Sequence, residues 1–329
     1  MTKETPMTTP LSRRAMLAAL AAAALPAHAQ AWPAKPVRLI VPYPPGGVSD
    51  VVARALAEQL VPLFGQPVIV ENKAGASATI GMDALAKSQP DGYTLAFSAI
   101  SPLVLSPAIG KVPYDPERDF TPVASAMISP VLVLATPANP ARDFRDVLGR
   151  AKDAPNTMRW ATSGAASLGH LMLEQLQDTA KVQMVHIPYK GGGQQITDAL
   201  SGQFEVLSVN AGPTVNEHIK SGRLRPLAIG APRRLESLPS VPTLAELGYP
   251  RANLSSHFGI FAPANLPQRL LARLNTDINN ALNTPAVRTR LLASDNVPTG
   301  GTAREFALQI AAEADSTLRI VRAVGIKAD

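Results

Sequence analysis

The chain contains no cysteine, which excludes disulfides, thiolate nucleophiles and cysteine-ligated zinc, and leaves stability to ordinary core packing. Aromatic residues are only 5% of the total, and no basic run is longer than Arg233-Arg234. A nucleic-acid binder needs stacking platforms and a basic stripe, so nucleic acid is excluded as a partner. Histidine is scarce as well. His170, His186, His218 and His257 stand apart, without His-x-His or His-Glu-x-x-His spacing, and no metal site is expected. Gly191-Gly192-Gly193 lacks both the Lys-Ser/Thr of a P-loop and the third spaced glycine of a dinucleotide fingerprint, so no nucleotide cofactor is expected either. Finally, no apolar run approaches the ~20 residues of a membrane span.

What is present begins with an export signature. Ser12-Arg13-Arg14 precedes an eleven-residue apolar run, Ala15 to Leu25, and Ala27-His28-Ala29 follows as a small-x-small cleavage site. Residues 1–29 therefore read as a leader cleaved near Ala29, by the general or the twin-arginine route, and the mature protein as soluble, exported and periplasmic. Loss of Lys3, Arg13, Arg14 and Glu4 with the leader lowers the formal net charge from +6 to +4. A mild positive excess suits a small acidic ligand. The remaining 300 or so residues, in a chain 46% hydrophobic, are ample for a core and suggest two domains.

The most informative stretch runs from Val37 to Leu63. Val37-Arg38-Leu39-Ile40-Val41 is apolar and β-branched, Val52, Leu56, Leu60 and Leu63 recur at helical spacing, and Pro42-Tyr43-Pro44-Pro45-Gly46-Gly47-Val48-Ser49-Asp50 lies between. That is strand, turn, helix, with Ser49 placed to cap the helix. Gly46-Gly47 leaves main-chain N–H groups uncovered at the positive end of a helix, an arrangement that binds small anions. The same pattern is also that of a plain tight connection. Asp50 would repel an anion unless its carboxylate faces away or holds a donor in place.

Strand and helix then alternate. Val68 to Val70 is a strand ending in the small-residue loop 74–78. Thr79 to Lys87 is a helix, and Tyr93 to Phe97 is a strand ending at Ser98 and Ser101. In open α/β sheets ligands sit at such carboxyl ends. Residues 102–122 are proline-rich and read as irregular, and Val131 to Leu134 as a buried strand. A second series follows: helix 143–152, strand 159–162, helix 167–176, strand 182–187, helix 194–200, and strands 204–209 and 224–229. After strand 257–261 come helices 267–282, 285–293 and 303–324, the last with Phe306, Ile310, Leu318 and Val321 on its apolar face. The expected architecture is α/β, with domain 1 at 30–130 plus 257–329 and domain 2 at 131–256. Two linking strands, at 131–135 and 257–262, form a hinge around a ligand cleft.

A hydrolase needs a nucleophile beside an oriented base. Ser167, His170 and Glu174 fall at i, i+3 and i+7, but Ser167 is better read as a helix cap and His170 with Glu174 as a helical pair. No catalytic residue is assigned. A secreted serine hydrolase remains the enzyme alternative.

Five segments in this order carry a resemblance. They are Val-Pro-Tyr-Pro-Pro-Gly-Gly-Val-Ser-Asp (41–50), Glu-Asn-Lys-Ala-Gly-Ala (71–76), Pro-Asp-Gly-Tyr-Thr-Leu (90–95), Pro-Tyr-Lys-Gly-Gly-Gly (188–193) and Val-Pro-Thr-Leu-Ala-Glu-Leu-Gly (241–248). With the leader they make nearly all of the chain from Trp32 to Asp329 resemble the substrate-binding proteins of tripartite tricarboxylate transporters, the Bug-type receptors. The resemblance implies a type II periplasmic binding fold that closes on a small carboxylate and presents it to membrane permease subunits. A sensory adaptor that presents the liganded form to a membrane kinase is the alternative role. No cofactor is implied, and a monomer is expected.

The resemblance also implies ligand contacts from the loop that carries Tyr43, Gly46, Gly47, Ser49 and Asp50, and from Ser98 and Ser101. The second-half loops supply Thr162, Ser163 and Gly164, then Tyr189, Gly191 and Gly192, and Asn210. Expected donors are the N–H groups of Gly46-Gly47 and Gly191-Gly192 and the hydroxyls of Ser49, Ser98, Thr162 and Ser163. Gly75-Ala76-Ser77-Ala78 stands where Gly-Ala-Gly-Gly is usual, Asn210 where an acidic residue is frequent and His257 where an aromatic is common; these departures bear on which carboxylate is bound. With no Arg or Lys in the first-half loops and Lys190 read as a solvated rim charge, selection should depend on bulk at Tyr43, Ala76, Ser77 and Tyr189. Ser77→Gly should then widen the ligand range. Gly47→Val should abolish binding by covering N–H groups and straining the turn.

Overall fold

The computed structural model describes residues 32–325, except for the side chain of Val324. The expected leader, residues 1–29, lies outside the described residues. Residues 32–34 end a first unit, and the account below concerns the unit from Lys35 onward.

The first half builds β1 (Val37–Val41), α1 (Val48–Phe64), β2 (Val68–Asn72), α2 (Thr79–Ala86) and β3 (Thr94–Ala99), then short helices α3 (Ser101–Val104) and α4 (Ser106–Ile109). A 16-residue strand, β4 (Phe120–Ala135), comes next. The second series is α5 (Phe144–Asp153), β5 (Arg159–Thr162), α6 (Leu168–Ala180), β6 (Val185–Pro188), α7 (Gly192–Leu200), β7 (Val206–Asn210), α8 (Pro213–Lys220) and β8 (Arg225–Gly230). The chain returns through β9 (Ser255–Pro263), α9 (Gln268–Leu282), α10 (Pro285–Leu292), β10 (Val297–Pro298) and α11 (Ala303–Val324).

Strand order is β2-β1-β3-β9-β4-β7-β5-β6, with β8 and β10 also paired to β4. β1 is parallel to β2 and β3, and β5 to β6 and β7, as strand–helix–strand crossovers require. β4 belongs to both groups. Its residues Phe120 to Pro130 pair antiparallel with β9, and Val131 to Ala135 pair with β7 and β8. The change of partners falls between Pro130 and Val131, and Pro122 sits at a register shift, where a missing N–H costs least.

These elements form for local reasons that the sequence largely displays. β1 is buried at four of its five positions, so it reads as a continuous apolar run and not an alternating one. α1 ends at Gly65, whose left-handed conformation (φ 65°) lets its N–H reach the Val61 carbonyl at 2.9 Å. α11 opens with a capping box: Thr302 Oγ1 accepts the Glu305 N–H at 3.1 Å and Glu305 Oε2 accepts the Thr302 N–H at 2.7 Å. One apolar cluster packs Ile40, Met82, Ala96 and Phe261 under Phe306 of α11. Two more flank the second group of strands, around Trp160, Phe144 and Met172 and around Phe204, Leu207 and Ile229.

Four expectations need correction. Residues 102–122 are not wholly irregular: prolines open α3 and α4, where a missing N–H is harmless, and β4 starts at Phe120. α8 and β10 went unread, because α8 buries only Val215 and β10 has two residues, too little for periodicity. The N-cap of α1 is Gly47, with no side-chain cap, and Ser49 lies within the first turn. On α11, Leu318 is exposed while Thr317 is buried at 3% exposure, so the inward stripe runs Phe306, the half-buried Ile310, Thr317 and Val321.

Candidate functional site

A cleft lies where the loops at the carboxyl ends of β1 and β3 face those of β5 and β7. Val131, at the partner change of β4, forms part of its floor with Phe258 and Ser256 of β9 and Asn210 of β7. Tyr43 leans on Phe258 with ring centroids 6.4 Å apart, and Phe258 stacks on Phe97 at 5.8 Å. Burial pushes the Tyr43 phenol above its ordinary pKa, against the opposing hydrogen bonds of Ser98 and the Ala99 backbone, so the phenol stays neutral. No Lys, Arg, His, Asp or Glu lines the cleft among the described residues.

Helix ends replace side-chain charge. α1, α7 and α8 start at Gly47, Gly191 and Gly212, none with a side-chain cap. The N–H groups of Val48, Ser49, Gly192 and Thr214 lie at these starts, on cleft-lining residues, with no hydrogen-bond partner among the described residues. Each start carries the positive end of a helix dipole. α6 also begins at the cleft, but Ser167 caps it by accepting the His170 N–H at 3.3 Å. The hydroxyls of Ser49, Ser101, Ser163, Thr214 and Ser256 line the cleft, again with no partner among the described residues.

Asp50 does not face the cleft. Its carboxylate accepts the Gly46 N–H at 3.1 Å and Asn72 Nδ2 at 3.0 Å, and pairs with Arg54 Nη2 at 2.9 Å. Asn72 Nδ2 also reaches the Tyr43 carbonyl at 3.1 Å. Burial alone would raise the Asp50 pKa, but the hydrogen bonds from Arg54, Gly46 and Asn72 outweigh it and hold the carboxyl below its usual range. Asp50 therefore pins the turn, and Gly46, expected as a donor, has already given its N–H to that carboxylate. The left-handed backbone is at Gly46 (φ 81°), whereas Gly47 is extended (φ −78°), so the strain expected of Gly47→Val does not arise.

The expected site residues divide accordingly. Tyr43, Gly46, Gly47, Ser49, Ser77, Ser101, Ser163, Gly192 and Asn210 line the cleft. The others lie behind or beside it. Ser98 is fully buried, its hydroxyl donated to the Ala99 carbonyl at 2.8 Å. Thr162, also fully buried, donates to the Gly164 carbonyl at 2.9 Å and meets His186 Nε2 at 2.7 Å. Tyr189 turns away, its OH on Asp198 at 2.8 Å, and its pKa is pushed up to about 12 by burial and that carboxylate. Gly191 lies against Pro44, and Gly164 against Ser77. Ala76 and Lys190 are exposed and off the cleft wall. Sequence reasoning missed Gly212, Thr214 and Ser256; Gly212-Pro213 ahead of a helix was the one signal that could have found the first two.

Behind the loop of residues 162–167, the rings of His170 and His186 stack face to face, with centroids 4.0 Å apart. His170 Nδ1 meets the Ala165 carbonyl, and its Nε2 lies 3.5 Å from Glu174. Burial, with a smaller contribution from His170, pushes the His186 pKa down to about 4. A histidine whose folded pKa is depressed favours the unfolded state once protons are available. Stability is complete above the unfolded value near 6.5 and is lost as pH falls from there to about 4. Discounted for partial exposure, the loss should be about 2 kcal/mol. Urea melts of wild type and His186→Phe at pH 7 and pH 4.5 measure it as the difference between the two proteins. Equal acid sensitivity in both would show that His186 carries none of it.

Residues 52–326 match the family model described as the tripartite tricarboxylate transporter family receptor. Protein BugT of Bordetella pertussis is 38% identical over 313 residues, covering 94% of this chain and 95% of that one. The structure of the periplasmic binding protein BugD superposes with a TM-score of 0.85 at 26% identity, covering 91% of this chain and 100% of that one. R. palustris Rpa4515 with adipate gives 0.85 at 28% identity, covering 90% and 99%. MatC of Rhodopseudomonas palustris with bound malate gives 0.83 at 28% identity, covering 88% and 100%. The folds agree with a type II periplasmic binding protein, and the chain belongs to the receptor family of tripartite tricarboxylate transporters, in its Bug-type branch.

Proposed function

We propose that the mature chain is a periplasmic, monomeric, non-catalytic receptor that captures a small carboxylate between its two groups of strands and delivers it to the membrane permease subunits of a tripartite transporter. The observation that carries this reading is the convergence of three uncapped helix starts on a cleft that, among the described residues, has no charged side chain in its lining. Such a lining favours an anion through oriented N–H groups and hydroxyls. A hydrogen bond to a charged group contributes about 1.5 to 3 kcal/mol, so four to six would supply the ~8 kcal/mol of micromolar binding after ordering costs. The adipate and malate bound by Rpa4515 and MatC support the ligand class, and BugD together with the leader supports the compartment. The partner change at Pro130–Val131 supports two domains meeting at this boundary. A hydrolase gains nothing from the geometry, because Ser167 Oγ caps α6 by accepting the His170 main-chain N–H, while His170 Nε2 lies 3.5 Å from Glu174 and makes no hydrogen bond to Ser167.

Thermal-shift screening against mono-, di- and tricarboxylates should raise Tm, and stabilisation only by sugars, metals or nucleotides would overturn the reading. Gly47→Val sharpens the test. A Cβ there meets nothing closer than the Pro44 carbonyl at 3.9 Å, so the variant should fold with Tm within about 2 °C of wild type. Its isopropyl group would nevertheless stand over the helix start, and malate affinity should fall at least 100-fold. Lys190→Ala should bind as wild type does. The opposite pattern, with Gly47→Val competent and Lys190→Ala inactive, would sink the backbone-anion account.

A further inference from the structure

Three successive non-glycine residues hold positive φ beside the cleft, Ala76 at 45°, Ser77 at 52° and Ala78 at 76°, and the middle one lines it. The left-handed region costs a residue with a β-carbon about 1 to 2 kcal/mol, and such runs persist only where surrounding contacts over-determine them. One support is local, since Thr79 Oγ1 donates to the Ala76 carbonyl at 2.8 Å. The other crosses the cleft. Ser77 Oγ accepts the N–H of Ala166, on the opposite wall, at 3.4 Å. Gly164 of that wall stands so close that a β-carbon on it would fall 2.6 Å from the same oxygen.

A hydroxyl that accepts one bond still has a proton to give. Ser77 Oγ donates to no group among the described residues, and the side chain lines the cleft. We propose that Ser77 couples occupancy to closure: its hydroxyl accepts the Ala166 N–H across the cleft and donates to an oxygen of the bound carboxylate. The inference rests on the receptor reading above. An anion at the O–H polarises the hydroxyl and makes it a better acceptor, so a bond that is long at 3.4 Å tightens when the cleft is loaded. In the empty protein the same bond is weak and the strained turn works against it. The left-handed run is what carries Ser77 far enough to reach the opposite wall. A glycine would adopt that backbone freely, but would bring no hydroxyl to it.

Alanine is the cleanest probe, because Ala76 and Ala78 already occupy the same backbone region on either side. Calorimetry with malate, adipate and citrate gives affinity, and small-angle scattering with and without each probe gives the contraction on binding. Wild type should bind at least one probe and contract. Ser77→Ala should bind that probe about tenfold more weakly and, at saturation, contract less. Ser77→Gly should show the same losses with a higher Tm, since it relieves the strain while removing the hydroxyl. Wild-type affinity and contraction in Ser77→Ala would overturn this inference alone. So would weaker binding with full contraction at saturation, which would make Ser77 an ordinary contact. A wild-type protein that binds none of the probes would overturn the inference together with the receptor reading beneath it.

Discussion

Gly259→Ala is expected to lower the unfolding free energy by about 3 to 4 kcal/mol, near the upper end for a single added methyl. Gly259 sits mid-strand in β9, opposite Ser98 of β3 and Ser125 of β4. A β-carbon there would fall 2.2 Å from Phe306 Cζ and 2.7 Å from the Ala124 carbonyl. The carbonyl belongs to a paired strand and cannot move away, and Phe306 is 1% exposed in the core beneath α11. Both neighbours therefore resist, and relaxation must come from α11 lifting off the sheet. Urea unfolding followed by tryptophan fluorescence measures the loss. Phe306→Leu added to Gly259→Ala should recover part of it, because the shorter side chain vacates the space that the methyl needs. A loss below about 1 kcal/mol would mean that the core beneath α11 yields more readily than dense packing allows.

Asp50→Ala should cost about 2 to 3 kcal/mol and weaken carboxylate binding at least tenfold. The carboxylate is 8% exposed, while Arg54 is half exposed, so the stranded guanidinium returns to water at little cost. The damage falls on Gly46, whose N–H loses its acceptor, and on Asn72, which bridges Asp50 and the Tyr43 carbonyl. The turn ahead of α1 then loses its tether, and the N–H groups of Val48 and Ser49 lose their aim. Asp50→Asn should be nearly as damaging, since its single oxygen can serve either Arg54 and Asn72 or the Gly46 N–H, and its NH2 then opposes the donor on the other side. Calorimetry with malate and urea unfolding check the two effects separately. A variant with wild-type stability and reduced binding would place Asp50 in direct contact with ligand, against the geometry described.

Much of this molecule is legible in its sequence, because its strands are apolar runs broken by glycine and small hydroxyl residues. β1, β2, β3 and β5 and the turn at residues 42–50 were found in that way. What escaped has physical reasons. α8 shows no buried stripe beyond Val215, and β4 hides its first half behind prolines that mark helix starts and a register shift. At the site, residue type told less than geometry. Ser98, Thr162 and Tyr189 have the right chemistry at the right strand ends, but each spends its polar group on a neighbour. Thr214 and Ser256 reach the cleft from an unread helix and from a strand read for its apolar face. Asp50 was the instructive case. Of the two ways it could coexist with an anion, turning aside or holding a donor, it does both.

Among the described residues no Lys, Arg, His, Asp or Glu lines the cleft, and this has an electrical consequence. No counter-charge awaits an incoming anion, and oriented dipoles stabilise it without cancelling it. On the proposed reading, the loaded protein therefore differs from the empty one by the whole charge of its cargo. On the same proposed reading, the chain without residues 1–29, of formal charge +4, presents roughly half its former excess to its surroundings when it holds a doubly charged ligand. Loaded and empty molecules thus differ in long-range field as well as in shape, and a partner surface could tell them apart before contact.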